Sequence, residues 1–292
     1  QVFEHRADVE RRMAAAVIAH IHGLHTDFAN ARSHSEWLQQ FQLEPSAWSV
    51  AHELLTGSGE ELVQHFASHT IVAKLQAGHV PAGADVLSEL MRYVARFHCG
   101  PVSVRRQLVV ALVDFELWRP AVEDTQWLGR CVGPLSENLA NLPCLLELLA
   151  AIPEEAINKK VLVETSRRSS FANNMLQSSK MAMEALWKSS QTNVECAVSA
   201  LRACAAWLRL QHASPAVRAQ KASVRGGPYT AEIVKESVHE HPLVLHAAQT
   251  ISNIGTIHIE LCRASADVLS EVCQLTNEST PQARQGQLRV VR

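Results

Sequence analysis

No stretch of this 292-residue sequence is apolar over the ~18 residues that a membrane-spanning helix needs, and no secretory leader opens it. Excess positive charge is also missing. The 27 basic and 29 acidic side chains give a formal charge of −2, without the basic stripe of a dedicated nucleic-acid binder. No two of the seven cysteines have Cys-x-x-Cys spacing, their number is odd, and each lies in or near an apolar helical segment. That usage reads as small core thiols in a reducing compartment, not as a disulfide framework or a metal cage. The sequence has no Gly-rich phosphate loop, no Gly-x-Ser-x-Gly elbow and no spaced carboxylate set, so nothing in it supports an enzyme or a cofactor site. These absences together predict a soluble, intracellular binding protein with no membrane or nucleic-acid partner. The first residue is Gln and not Met, which reads as part of a longer protein.

Histidine is plentiful, with 15 copies, and invites a metal hypothesis. The densest sets are His20, His22 and His25, then His65 and His69, then His239, His241 and His246. Only His65 and His69 have helical i, i+4 spacing, and no third ligand stands near in the manner of a His-Glu-x-x-His zinc site. Surface and capping roles are expected instead, with no metal.

What the sequence does contain is helix after helix. Apolar residues make up 47% of the chain and charged residues 19%, the balance of a folded protein. Met13, Ala16, Val17, His20 and Ile21 fit one face of a first helix. A second runs over about 29–42 with Trp37, Leu38 and Phe41 inward, and Pro45 starts a third bearing Trp48, Ala51 and Leu55. Gly57-Ser58-Gly59 breaks the pattern. Glu60 and Glu61 then begin a fourth helix, where the dipole favours negative charge, with a stripe of Leu62, Phe66, Thr70, Ala73 and Ala77.

Val86, Leu90, Val94 and Phe97 follow, and after Gly100-Pro101 comes the best apolar face, Val104, Leu108, Ala111, Leu112 and Phe115. Leu142, Leu145, Leu149 and Ile152 form a helix expected to stop at Pro153. One long helix is predicted over 164–189, and Val194, Ala197, Leu201, Cys204 and Leu208 make another stripe. Residues 212–228 read as a loop, 229–276 as further helices and 277–292 as a polar tail. Helix pairs recurring every ~35–50 residues point to an all-α solenoid of the HEAT type, because each pair needs a neighbour to cover its apolar face. An ordinary helical bundle is the alternative.

Four blocks carry a family likeness. Glu36-Trp37-Leu38-Gln39-Gln40-Phe41-Gln42 with Ser46-Ala47-Trp48 is the first, and Phe66-Ala67-Ser68-His69-Thr70-Ile71-Val72-Ala73-Lys74-Leu75 the second. Gln107-Leu108-Val109-Val110-Ala111-Leu112-Val113-Asp114 is the third. The fourth is Leu142-Pro143-Cys144-Leu145-Leu146-Glu147-Leu148-Leu149-Ala150-Ala151-Ile152-Pro153-Glu154-Glu155, with Arg167-Arg168 downstream. In this order and spacing they resemble the importin-β superfamily, in its transportin-SR and importin-13-like branch. Ser68 and His69 stand where the second block usually has Ala and Gln.

The resemblance implies a right-handed HEAT superhelix, here about five to six antiparallel helix pairs. It assigns 1–80 to importin N-terminal-like repeats and 81–211 to exportin/importin-β-like repeats. It further implies a receptor shuttling between nucleus and cytoplasm, with three kinds of partner: the small GTPase Ran in its GTP form, protein cargo (Arg/Ser-rich splicing factors in this branch) and nucleoporins. An export receptor, or a HEAT scaffold without Ran binding, would carry the same repeats.

If the second helices of the first three pairs face the GTPase, the candidate contacts are Arg32, Gln64, Lys74, Arg105, Gln107 and Asp114, with Asp114 alternatively structural. Trp37, Trp48 and Trp207 read as packing residues. Glu154 and Glu155 offer charge for a helix start and no catalytic pair. Arg167-Arg168-Ser169-Ser170 fits either a solvated helix start or a site for a basophilic kinase.

Overall fold

The computed structural model describes residues 2–79, 85–119, 126–158, 161, 163–213, 241–252 and 258–277. They form helices with no strand among them: α1 (Val2–Thr26), α2 (Ala31–Leu43), α3 (Ala47–Gly57), α4 (Glu61–Gln76), α5 (Val86–Arg96) and α6 (Val102–Trp118). After these come α7 (Trp127–Ser136), a 3₁₀ turn (Leu139–Asn141), α8 (Leu142–Ile157), α9 (Thr165–Gln177) and α10 (Ser179–Ser190). The last are α11 (Val194–Ala213), α12 (Pro242–Ser252) and α13 (Ile259–Asn277). The fold is an all-α HEAT solenoid. The chain divides into two compact units, the first holding α1–α6 together with Val161 and the second α7–α13.

In the first unit α1 pairs with α2, α3 with α4 and α5 with α6; α1 also packs on α3, and α4 on both α2 and α6. Helix α4 is thus covered on several sides, and its buried arc is wide: Val63, Ala67, Thr70, Ile71, Lys74 and Leu75 lie inside. The stripe expected from Leu62 is therefore turned by about one residue, and Leu62 itself is 49% exposed. Two neighbours ask for more apolar surface than one face supplies. Against this arc α6 sets Val104, Leu108, Ala111 and Leu112, all fully buried as its periodicity predicts, with Phe115 half-buried.

Helix α4 ends at Gly78, whose φ of +76° is left-handed. The amides of Gly78 and His79 return to the carbonyls of Leu75 and Lys74 at 2.9 and 2.8 Å. This closing pattern needs a residue without a Cβ penalty. At the start of α5, Asp85 accepts from the Ser88 amide at 3.2 Å and caps the helix.

In the second unit α7 packs on α8, α10 on α11 and α12 on α13, while α8, α11 and α13 form the neighbouring layer. Two sequence expectations fail here. The helix predicted over 164–189 is broken at Ser178, whose amide closes α9 onto Asn174 and Met175. Helix α8 does not stop at Pro153 but continues to Ile157.

The reason for the second lies across the seam. Pro153 has no N–H for the carbonyl of Leu149 four residues back, and the indole N–H of Trp207 on α11 donates to that carbonyl at 2.7 Å. Trp207 is buried, as expected of a packing residue. Of the loop expected over 212–228, residues 212 and 213 belong to α11, and residues 214–240 and 278–292 lie outside the described residues.

Candidate protein-binding face

Helices α2, α4 and α6 carry all six candidate contact residues, and the structure separates these into two kinds. Arg32 on α2 is exposed and pairs with Glu36 one turn on at 2.7 Å. Gln107 on α6 is half-buried. The other four point into the chain's own joints.

Three of those four close the ends of helices. Lys74 is 5% exposed, and its ammonium donates to the carbonyl of Glu44, the residue that ends α2, at 2.6 Å. The amide group of Gln64 donates to the carbonyl of Ser58, which ends α3, at 2.7 Å. Arg105, 9% exposed, donates to the carbonyl of His98 just past α5 at 3.2 Å. The last carbonyls of a helix lack intrahelical donors and carry the negative end of the dipole, so a cation or amide donor is favoured there.

Arg96 does the same for the Thr56 carbonyl of α3 at 2.7 Å, and in the second unit Arg168 serves Glu155 and Ala156 of α8 at 3.1 and 3.3 Å. Burial pushes the Lys74 ammonium below its ordinary range, with the Glu44 carboxylate acting in the opposite direction. Asp114, the fourth, is wholly buried and accepts from Gln76 of α4 at 2.9 Å. A partner would reach Lys74, Arg105 or Asp114 only by displacing these contacts.

The surface that remains accessible on α2, α4 and α6 is mainly polar, with Leu43, Leu62 and Val102 exposed at helix ends. It includes Arg32, Glu36, Gln39 and Gln40 on α2, His69 on α4 and Arg106 on α6. Side chains tie the helices across it. Gln42 lies 3.1 Å from His69 Nδ1 and donates to Thr70 Oγ1 at 3.1 Å, and Ser103 donates to Glu61 at 3.0 Å. On the other side of the pairs His52 joins α3 to α5, lying between Glu89, at 2.7 Å, and Tyr93. Burial and the adjacent Glu89 raise the Tyr93 phenol above its ordinary value.

Of the histidine sets, His239 lies outside the described residues. Among the described residues no group of three or more His, Cys, Asp or Glu is placed to hold an ion. His20 lies on Trp37 with ring centroids 4.0 Å apart, and its Nδ1 is 2.9 Å from that of His34. Gly23 makes this meeting possible, because a Cβ there would stand 2.5 Å from the His34 ring. His22 pairs with Glu60 at 2.7 Å and His246 lies edge-on to Trp187. No disulfide joins the seven cysteines; burial pushes the Cys204 thiol up to about 12. No single described helix is long and apolar enough to cross a membrane.

Comparison with known proteins gives the same direction as the sequence blocks. The chain is 30% identical to Transportin MOS14 of Arabidopsis thaliana over 253 residues, 84% of this chain and 24% of that protein. It is 26% identical to Importin-13 of Homo sapiens over 171 residues, 54% of this chain and 17% of that protein. To Importin-13 homolog A of Dictyostelium discoideum it is 28% identical over 159 residues, 48% of this chain and 14% of that protein. No family model matches the chain. The chain therefore spans a quarter or less of the length of these relatives.

Proposed function

The chain belongs to the importin-β family, and from that premise we propose that it is the amino-terminal, Ran-GTP-binding part of a nuclear import receptor. The single observation that supports this most is the likeness to a transportin over 84% of the chain. Helices α2, α4 and α6 of the first unit also offer a mainly polar face suited to a protein partner. The receptor shuttles between cytoplasm and nucleus, meets nucleoporins on the way and carries protein cargo, of the Arg/Ser-rich kind in this branch.

Direction comes from differential binding. Cargo and Ran-GTP compete, so a partner that binds one state better shifts the equilibrium by that difference and no more. On the GTPase-facing surface Arg32 and Gln107 make contact directly. Gln64, Lys74, Arg105 and Asp114 act one step behind, holding the helix ends that present the surface.

The test is a titration of Ran-GTP and of Ran-GDP onto this chain. The expected result is a Kd in the micromolar range or tighter, about −8 kcal/mol, for the GTP form alone. Equal response to both forms, or to neither, refutes the reading and favours a HEAT scaffold. Cargo affinity that rises with Ran-GTP would make the protein an exporter instead.

A further inference from the structure

We propose that Ser170 is a phosphorylation site for a protein kinase whose substrate groove carries carboxylates, and that opening of the first turns of α9 controls access to it. The acceptor follows two cations, Arg167 and Arg168, and precedes an apolar residue, Phe171. Carboxylates of such a groove pair with the two guanidiniums at short, charge-assisted distances, and an adjoining apolar pocket takes the Phe ring. Ser170 is exposed, and no side chain from Thr165 to Ser170 is buried. The first buried residues of α9 are Phe171 and Ala172.

A kinase takes its acceptor in extended form, so these turns must unwind. Three features make that easy. The stretch Thr165-Ser166-Arg167-Arg168-Ser169-Ser170 has four Ser/Thr residues of modest helix propensity. Glu164, at the helix start, makes no side-chain capping bond. Amides of a first turn have no intrahelical acceptor to lose.

The contacts that oppose it include the i→i−4 bonds of Ser169 and Ser170, the hold of Arg168 on the carbonyls of Glu155 and Ala156, and Phe171 edge-on to Trp127 with centroids 6.3 Å apart. Opening therefore releases the end of α8 and withdraws one ring from the second unit's core. The acceptor is available in that opened fraction.

In the reaction the Ser170 Oγ attacks the γ-phosphorus of Mg·ATP. The Oγ–P bond forms and the bridging P–O bond breaks with its electron pair leaving on ADP, while the hydroxyl proton passes to a kinase carboxylate. In the product the phosphate stands three residues after Arg167, a neighbouring position on the helix surface where opposite charges attract.

The experiment treats the whole chain, and a synthetic peptide of residues 163–174, with Mg·ATP and the catalytic subunit of cyclic-AMP-dependent kinase. Intact mass and peptide mapping follow the phosphate. The expected result is one phosphate on Ser170 in both, with the native chain slower by roughly tenfold to a thousandfold, the opening equilibrium of a marginal turn. Ser170→Ala removes the label, and Arg167→Ala and Arg167→Lys each slow it at least tenfold with the helical spectrum unchanged. Labelling of the peptide but not the native chain, labelling only in urea, or phosphate on Ser169 overturns the proposal.

Discussion

Replacing Trp207 by Phe should loosen the α8–α11 seam in a way that depends on what occupies position 153. The indole N–H reaches the Leu149 carbonyl at 2.7 Å in a buried setting, and that carbonyl lacks a helical donor because residue 153 is proline. Trp207→Phe keeps an aromatic ring and removes the donor, leaving a buried acceptor unsatisfied at a cost of about 1–3 kcal/mol. Pro153→Ala supplies an amide at the right place, so the same Trp substitution should then cost about 1–2 kcal/mol less. Native-state hydrogen exchange at the amides of α8 and α11 reads both, since about 1.4 kcal/mol changes a protection factor tenfold. It is preferable to a global melt because the chain holds two compact units, and one unfolding midpoint would merge them. Coupling below about 0.5 kcal/mol in the four-variant cycle would refute the idea that the indole stands in for the missing amide.

Three further outcomes follow from the first unit. Lys74→Met, which keeps the stem and removes the ammonium, should leave the Glu44 carbonyl without its donor and weaken protection in α2 by about 1–3 kcal/mol; unchanged exchange there would remove the capping role. Gly78→Val meets both the left-handed φ of +76° and the Trp118 ring 3.1 Å from a Cβ, and should cost at least about 1–3 kcal/mol in urea unfolding.

Acidification should also weaken this unit. Desolvation, then His34, lowers the His20 imidazole, and desolvation, then His65, lowers His69. With folded values below the unfolded ~6.5, the folded state binds fewer protons, so stability present above that pH is lost as pH falls through the folded values. The urea midpoint should drop between about pH 7 and pH 5, and less so in His20→Gln; a midpoint that rises on acidification would contradict the assignment.

Much of the architecture is legible in the residues themselves. The apolar face of α5 is read correctly because that helix meets the core along one stripe, with Leu90 and Val94 at helical spacing, whereas the stripe of Leu108 and Leu112 on α6 is only part of a wider buried arc that also holds Val109, Val113 and Leu117. Helix α4 defeats the same reading because stacking covers it from several directions, and a period identifies one stripe without saying how far the burial extends. Pro153 misleads for another reason. A proline stops a helix when nothing answers the carbonyl it orphans, and here the answer comes from Trp207, 58 positions along the chain from Leu149.

The polar candidates divide on the same principle. Arg32 looks exposed in sequence and is. Lys74 and Arg105 look equally free for a partner, yet Lys74 meets Glu44, 30 positions away at the end of α2 and near only in the folded stack, and Arg105 meets His98, seven positions back in the turn before its own helix. A local signal was available in advance for Arg105 alone, which lies on the helix that follows the irregular turn holding its acceptor.

The most direct test of the central claim is a hydrogen-exchange footprint of Ran-GTP on the whole chain, with Ran-GDP as the reference. Slowed exchange confined to α2, α4 and α6, and reduced by Arg32→Glu without loss of helical content, is the predicted result. Protection on α1, α3 and α5 instead, or an identical map with either nucleotide, would contradict it.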